Sequence, residues 1–303
     1  MSFNFNRREF LLALGTAVWI GACQSNSTTN NQQNLSGSLR IVALQWGFVE
    51  SLLALGIQPV GVADIQGYRD YVNIPLKLAD TVKDVGTRQE PNLEVIAQLQ
   101  PDLILGVEFN HKGIASALEK IATTRLFQFY SEKTAQLTRL KEMFLEIANL
   151  TNHQEQGKQQ LQQLETTLTE INQQLAQKGL TQRPIALAAV NDASSIRLFT
   201  DNALAIQLLN AIGLENAWEG TFTQFGFNKV GIETLTNIQD VNFIYVPYNQ
   251  RNKNDITDHP VWEKLEFVQE NRVYRLASDI WLYGGILSAE RLVTQVRDRL
   301  TSS

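Results

Sequence analysis

The chain has 303 residues, 44% of them apolar and 19% charged, so it can bury a large core and has the composition of a globular, not a disordered, protein of more than one lobe. The formal net charge is −5, and no Lys/Arg run lies beyond the first few residues. That balance argues against nucleic acid or an anionic membrane face as partner.

Arg7 and Arg8 give a positive start, and the apolar run 10–20 that follows is too short for a membrane span but right for the core of a signal peptide. It ends at Ile20-Gly21-Ala22-Cys23, which resembles the bacterial lipobox, where small residues precede a Cys that is acylated and becomes the new N-terminus. Cys23 is also the one cysteine of the chain. The alternative, a buried apolar thiol, fits a cysteine placed directly after a signal core less well. Residues 1–22 are therefore expected to be a lipoprotein signal peptide, and Arg7-Arg8 also resembles a twin-arginine signal. Residues 23–37 are polar, without an apolar period, and read as a flexible tether.

From Ser38 on, short β-type runs alternate with helical patterns. Leu39 to Leu44, Pro59 to Asp64, Asp102 to Val107 and Leu126 to Tyr130 are strand-like, with helices near 47–55 and 92–99. Such alternation predicts an α/β lobe over 38–150 with a largely parallel sheet. Leu161, Leu164, Leu168, Ile171 and Leu175 then follow 3–4 spacing and predict a long helix over 153–178, on the order of 39 Å at 1.5 Å per residue. Asn152 with Glu155 reads as its capping box and Gly179 as its stop. Placed at 151–180, this helix either links two lobes as a stiff strut or packs on one of them. A second series over 181–303 has strand-like runs Ile185 to Val190, Val241 to Val246 and Arg272 to Leu276, with helices near 203–212, 232–238 and 287–300. Segments 94–107 and 233–246 echo each other: each has a leading Glu, a central Gln and a strand-like end, as two similar lobes would.

Enzyme templates are missing: there is no Gly-x-Ser-x-Gly, no Gly-x-x-x-x-Gly-Lys, no Gly-x-Gly-x-x-Gly and no His-Glu-x-x-His. His111, His153 and His259 lack metal-ligand spacing and read as surface or loop histidines. Two segments carry more. Asp84-Val-Gly-Thr-Arg-Gln-Glu-Pro-Asn-Leu-Glu94 places Arg88 in a loop before a helix, where an α/β lobe usually binds ligands, and Arg offers a donor fork for a partly anionic oxygen pair. In Ile280-Trp-Leu-Tyr-Gly-Gly285, Trp281 and Tyr283 alternate by two and could face one side. Core packing is the competing reading for both aromatics.

The 84–94 segment, Pro101-Asp-Leu-Ile-Leu105, Gly213-Leu-Glu-Asn-Ala-Trp-Glu-Gly220, Pro260-Val-Trp262 and Trp281-Leu-Tyr-Gly-Gly-Ile-Leu-Ser-Ala289 resemble, in order along the chain, the periplasmic ferric-hydroxamate-binding proteins of siderophore importers. The resemblance implies an α/β protein of two Rossmann-like lobes joined by one long rigid helix, with a ligand cleft between them and no catalysis or cofactor. The ligand it implies is an Fe(III)–siderophore complex, whose iron is already coordinated and needs no protein ligand. By the same resemblance Arg88 contacts the iron-bound oxygens, and Trp281, Tyr283 and Phe225 line the cleft. Phe109-Asn110-His111 stands where the family has a cleft tyrosine. The resemblance also implies that Glu94 and Glu233 are the carboxylates that dock on the importer's permease, although the helix macrodipole alone also favours a Glu at such positions. The implied partners are permease subunits with a cytoplasmic ATPase, reached by a monomer lipid-anchored through Cys23 in the periplasm or on the outer face of the cell membrane. Cobalamin, haem or a catecholate siderophore on the same fold remain alternatives, with a metal-cluster or enzyme subunit as the reading from another class.

Overall fold

The computed structural model describes residues 39–130, 135–192, 195–248 and 256–302. The expected signal peptide, Cys23 and the tether lie outside them. Strands β1 (Ile41–Ala43), β2 (Gly61–Val62), β3 (Lys83–Asp84), β4 (Leu103–Val107) and β5 (Thr123–Phe127) form one sheet in the order β3-β2-β1-β4-β5, parallel throughout. Helices α1 (Trp46–Ala54), α2 (Ile65–Tyr71), α3 (Leu93–Gln98), α4 (Glu108–His111) and α5 (Ala115–Glu119) connect them. A second sheet, β10-β9-β6-β7-β8, is built from β6 (Ile185–Asp192), β7 (Ser195–Phe199), β8 (Phe227–Val230), β9 (Asn242–Pro247) and β10 (Val273–Arg275). Here β6, β9 and β10 are parallel, whereas β7 and β8 pair antiparallel.

Between the sheets the chain runs through α6 (Gln136–Leu150) and α7 (Gln154–Gln177); the second lobe adds α8 (Leu204–Ala211), α9 (Glu266–Gln269) and α10 (Ile286–Thr301). At 24 residues α7 is about 36 Å long. Its C-terminus closes as expected: Gly179 takes a φ of 69°, and the N–H groups of Gly179 and Leu180 donate to Ala176 and Leu175. The N-terminus does not. Asn152 sits in the left-handed region at φ 60° in the corner after α6, and His153 occupies the cap position with its Nδ1 turned to the Thr151 carbonyl at 2.6 Å and no side-chain bond to the helix. A tight turn between two helices needs one such residue, and Asn tolerates it, so the capping box is not formed.

Other departures have local causes. The strand expected at 126–130 lies at 123–127, because Tyr130 leaves the sheet to donate its hydroxyl to the Tyr283 carbonyl at 2.7 Å. The helix expected near 232–238 is a 3₁₀ turn, Ile232–Asn237. Strands β3, β7 and β8 and helices α2, α4, α5, α6 and α9 are additions to the predicted elements.

The central strands split their side chains by period two. From β1 and β6, Ile41, Ala43, Ile185, Leu187 and Ala189 enter one core cluster, whereas Val42 joins a second and Ala186, Ala188 and Val190 a third. The first cluster also holds Leu164, Leu168, Ile171 and Leu175 of α7 together with residues of α1, α6, α8 and α10. One face of each sheet therefore belongs to a core shared by both lobes, and α7 is built into it by one apolar face.

Polar ties cross the same seam. Glu50 of α1 has no exposed surface and accepts from Ser288 N–H at 2.7 Å and Ser288 Oγ at 2.9 Å, at the start of α10. It supplies the cap that Gly285, at φ 89°, lacks; a Cβ on Gly285 would fall 2.0 Å from the Glu50 carboxyl carbon. Burial, outweighing the bonds from Ser288, raises the Glu50 pKa to about 8. Further out, Asp279 accepts from Asn73 Nδ2 at 2.8 Å and from Arg291 at 2.7 Å.

Candidate ligand-binding site between the lobes

Side chains at the carboxyl ends of all five strands of the first sheet converge, as parallel sheets direct them to. Gln45 and Trp46 follow β1, Asp64 follows β2, Arg88 follows β3, Phe109 and His111 follow β4, and Tyr130 follows β5. Asp64 adopts a left-handed φ of 58° and caps α2 by accepting from Gly67 N–H at 3.1 Å. Its backbone carbonyl accepts from Trp46 Nε1 at 3.2 Å, which fixes the indole. Asp84 ties the next loop down, accepting from Ile65 N–H and Gly86 N–H, each at 2.8 Å.

On that frame the Arg88 guanidinium lies 3.7 Å from the Trp46 ring centroid, a cation–π contact, and 5.8 Å from that of Trp281, so it stands to one side of a pair of indoles, one from each lobe. Asp64 Oδ2 is 3.4 Å from Arg88 Nε, which is buried without a hydrogen-bond partner. Burial pulls the Arg88 pKa down and Asp64 opposes it. Its Nη1 donates to Gln45 Oε1 at 3.4 Å, and a half-buried cation at a cleft floor suits a partly anionic oxygen arriving from outside.

The rings continue across the cleft. Trp46 and Trp281 are 4.8 Å apart, Tyr71 and Tyr248 5.8 Å, Phe109 and Phe225 5.9 Å, and Tyr130 and Phe225 5.3 Å, each pair joining the two lobes. Trp281 and Tyr283 lie on one side, 5.0 Å apart, as their alternation predicts. Tyr283, however, is only 9% exposed and is more floor than wall; its hydroxyl accepts from Arg197 at 3.1 Å. Burial raises its pKa, with Arg197 opposing. Phe109 and Phe225 are 39% and 41% exposed at the rim. The rings meet so closely that the pocket beneath, lined by Tyr130, Phe199, Phe225 and Tyr283, holds only about 10 Å³. A larger cavity of about 580 Å³, between residues 73–77 and α10, contains none of these rings.

Arg88, Trp281, Tyr283, Phe225 and Phe109 are thus brought together. Sequence reasoning missed Trp46, Asp64, Tyr71, Tyr130, Tyr248 and Arg197; the position of Trp46 directly after an apolar strand was the available signal. Tyr130 places a first-lobe tyrosine 5.6 Å from Phe109, with its hydroxyl engaged by the Tyr283 carbonyl. His111 is not the surface or loop histidine expected. It has no exposed surface, accepts from Val107 N–H at Nδ1 (2.9 Å) and meets the Arg88 carbonyl at Nε2 (2.8 Å). Its spacing after the apolar strand hid this, because the partners are backbone groups. Glu94, in the first turn of α3, and Glu233, in the 3₁₀ turn, are both exposed on the elements that feed β4 and β9; His259 Nε2 stands 3.6 Å from Glu233.

Among the described residues no group of three or more His, Cys, Asp or Glu could hold a metal ion, and no helix is long and apolar enough to cross a membrane. A family model described as periplasmic binding protein matches residues 41–280. The iron(3+)-hydroxamate-binding protein FhuD of Escherichia coli is 34% identical over 255 residues, 84% of each chain. The Fe(3+)-citrate-binding protein YfmC of Bacillus subtilis is 29% identical over 253 residues, covering 83% of this chain and 77% of its own. The solved structure of the Fe3+–Desferal-bound siderophore binding protein FhuD from Vibrio cholerae matches with a TM-score of 0.81 at 27% identity, covering 87% of this chain and 98% of that one. With two α/β lobes, a shared core and a family match across nearly all of both sheets, the chain belongs to the periplasmic binding protein family.

Proposed function

We propose that the protein captures a ferric siderophore of the hydroxamate type in the cleft between its lobes and passes it to the permease of an ATP-driven importer, without catalysis and without a cofactor of its own. The observation that carries this reading is the half-buried Arg88 guanidinium, set against Trp46 and Trp281 where the two lobes meet. A hydroxamate siderophore fills the octahedral shell of Fe³⁺ with its own oxygens, so recognition requires no protein ligand to iron. It requires charge-assisted bonds to those oxygens and flat apolar walls for the arms, which Arg88 and the rings can offer. The E. coli relative, named for iron(3+)-hydroxamate binding, supports the ligand class.

Ferrioxamine B should quench the tryptophan emission tightly, since Trp46 and Trp281 stand at Arg88. Arg88→Ala should weaken that binding by about 1.5 to 3 kcal/mol, the range for a bond to a charged group. Quenching by haem, cobalamin or a ferric catecholate in place of ferrioxamine would overturn the ligand class. Docking through Glu94 and Glu233 is read from their exposure on equivalent elements. Charge reversal at both should abolish uptake in cells while leaving siderophore affinity intact; a large loss of affinity would sink the docking role. Anchoring through Cys23 accords with relatives that are named lipoproteins. The delivering species is read as a monomer at the outer face of the membrane.

A further inference from the structure

We propose that His111 is a positioning residue for Arg88, a neutral imidazole that carries the fixed end of β4 to the arginine's backbone and sets where its guanidinium stands. The reference point is rigid: Val107 is the last residue of β4 and is paired in register with Phe127. Its N–H donates to His111 Nδ1 at 2.9 Å, so the ring proton resides on Nε2, which donates to the Arg88 carbonyl at 2.8 Å. Asn110 Nδ2 donates to the same carbonyl at 3.2 Å. Both donors to Arg88 therefore come from the one-turn helix α4.

The surroundings are shaped for the ring. A Cβ on Gly106 would lie 2.9 Å from His111 Nδ1, so a bare backbone leaves the imidazole its place. The bonds that close the Arg88 loop fall to either side of Arg88: Gly86 bridges Pro91, and Glu90 N–H donates to Thr87 Oγ1 at 2.9 Å. Held at its carbonyl by α4 and over its guanidinium by Trp46, Arg88 is fixed at both ends. A long side chain fixed at both ends has lost its rotamer freedom before a ligand arrives, which is preorganisation. Burial lowers the His111 pKa, which keeps Nδ1 an acceptor.

The effect on affinity rests on Arg88 contacting the ligand, the reading proposed above; the bond itself does not. Ferrioxamine B affinity is measured by tryptophan quenching for His111→Asn, which keeps an acceptor near Nδ1 but loses the arm to Arg88, and for His111→Gln, which places a donor near Nε2. Each is measured with Arg88 present and with Arg88→Ala. With Arg88 present, His111→Asn should weaken binding about tenfold and His111→Gln less; on Arg88→Ala both should change it less than about twofold, as expected of coupled neighbours. Equal losses in the two backgrounds, or Asn tolerated better than Gln, would overturn the proposal. Nitrogen-15 NMR of the ligand-free protein should show the Nε2–H tautomer of His111, and faster amide exchange across 87–89 in His111→Asn. The Nδ1–H tautomer or unchanged exchange overturns it whatever the ligand. If Arg88→Ala alone leaves affinity unchanged, the ligand contact fails instead, and the NMR result decides on His111. Should the His111 variants not fold, Asn110→Ala enters the same cycle, where a loss that persists on Arg88→Ala overturns the proposal.

Discussion

Glu50 shows how one side chain can bind a whole molecule to a pH range. A carboxylate without solvent is costly to ionise, and two hydrogen bonds from Ser288 do not offset its burial. The folded protein keeps the Glu50 proton up to about pH 8, whereas an unperturbed glutamate releases it near 4.5. Between those values the native state holds the extra proton, so this contribution to stability is full below about pH 4.5 and is lost as pH rises through about 8. Buried neutral His111 works on the other side, losing its contribution as pH falls below the ordinary histidine range. Urea unfolding at about pH 6 and about pH 9 should show the wild type weaker at the higher value by on the order of a few kcal/mol. Glu50→Gln, neutral throughout, should flatten that slope; an undiminished slope in the variant would remove Glu50 as its source.

At the scale of elements, α7 draws its stability from the face that the 3–4 period marks. Leu168 is 4% exposed in the shared core, and Leu168→Ala should cost about 2 to 5 kcal/mol in chemical denaturation, while Thr166→Ala on the exposed face should leave stability nearly unchanged. A near-neutral Leu168→Ala would mean that α7 is the bare strut its length alone suggests. This helix was legible because amphipathic periodicity survives over 24 residues. The spacing of Leu140, Phe144 and Ile147 carries the same signal for α6, which sequence reasoning nonetheless missed. Strands β3, β7 and β8 were not: two to five residues long and mixed in polarity, they gain their identity only from neighbouring strands. The site divides in the same way. Arg88 stands out through the glycine, proline and asparagine around it, and Trp281 through its alternation with Tyr283. Asp64 and Tyr130 become site residues only because strand order brings distant carboxyl ends together, and Arg197 only because β7 sets it against Tyr283; no local pattern encodes either.

As a whole, the described body is two sheets around one core. Because the largest apolar cluster draws on both lobes, neither lobe can lose its packing without exposing the other's. Far-UV circular dichroism and tryptophan fluorescence should therefore report one coincident unfolding transition. Two separated transitions would mean that the lobes are independent domains. The same seam, with Glu50 on Ser288 and Asn73 on Asp279 at its edge, leaves the lobes little room to turn. Solution scattering should accordingly give one radius of gyration with and without ligand. A molecule built this way cannot announce its cargo by changing shape. On the proposed function, what would differ between empty and loaded forms is the mouth, where the exposed rings of Phe109 and Phe225 would be covered by a ligand or left bare, so a partner would have to tell the two apart by touch.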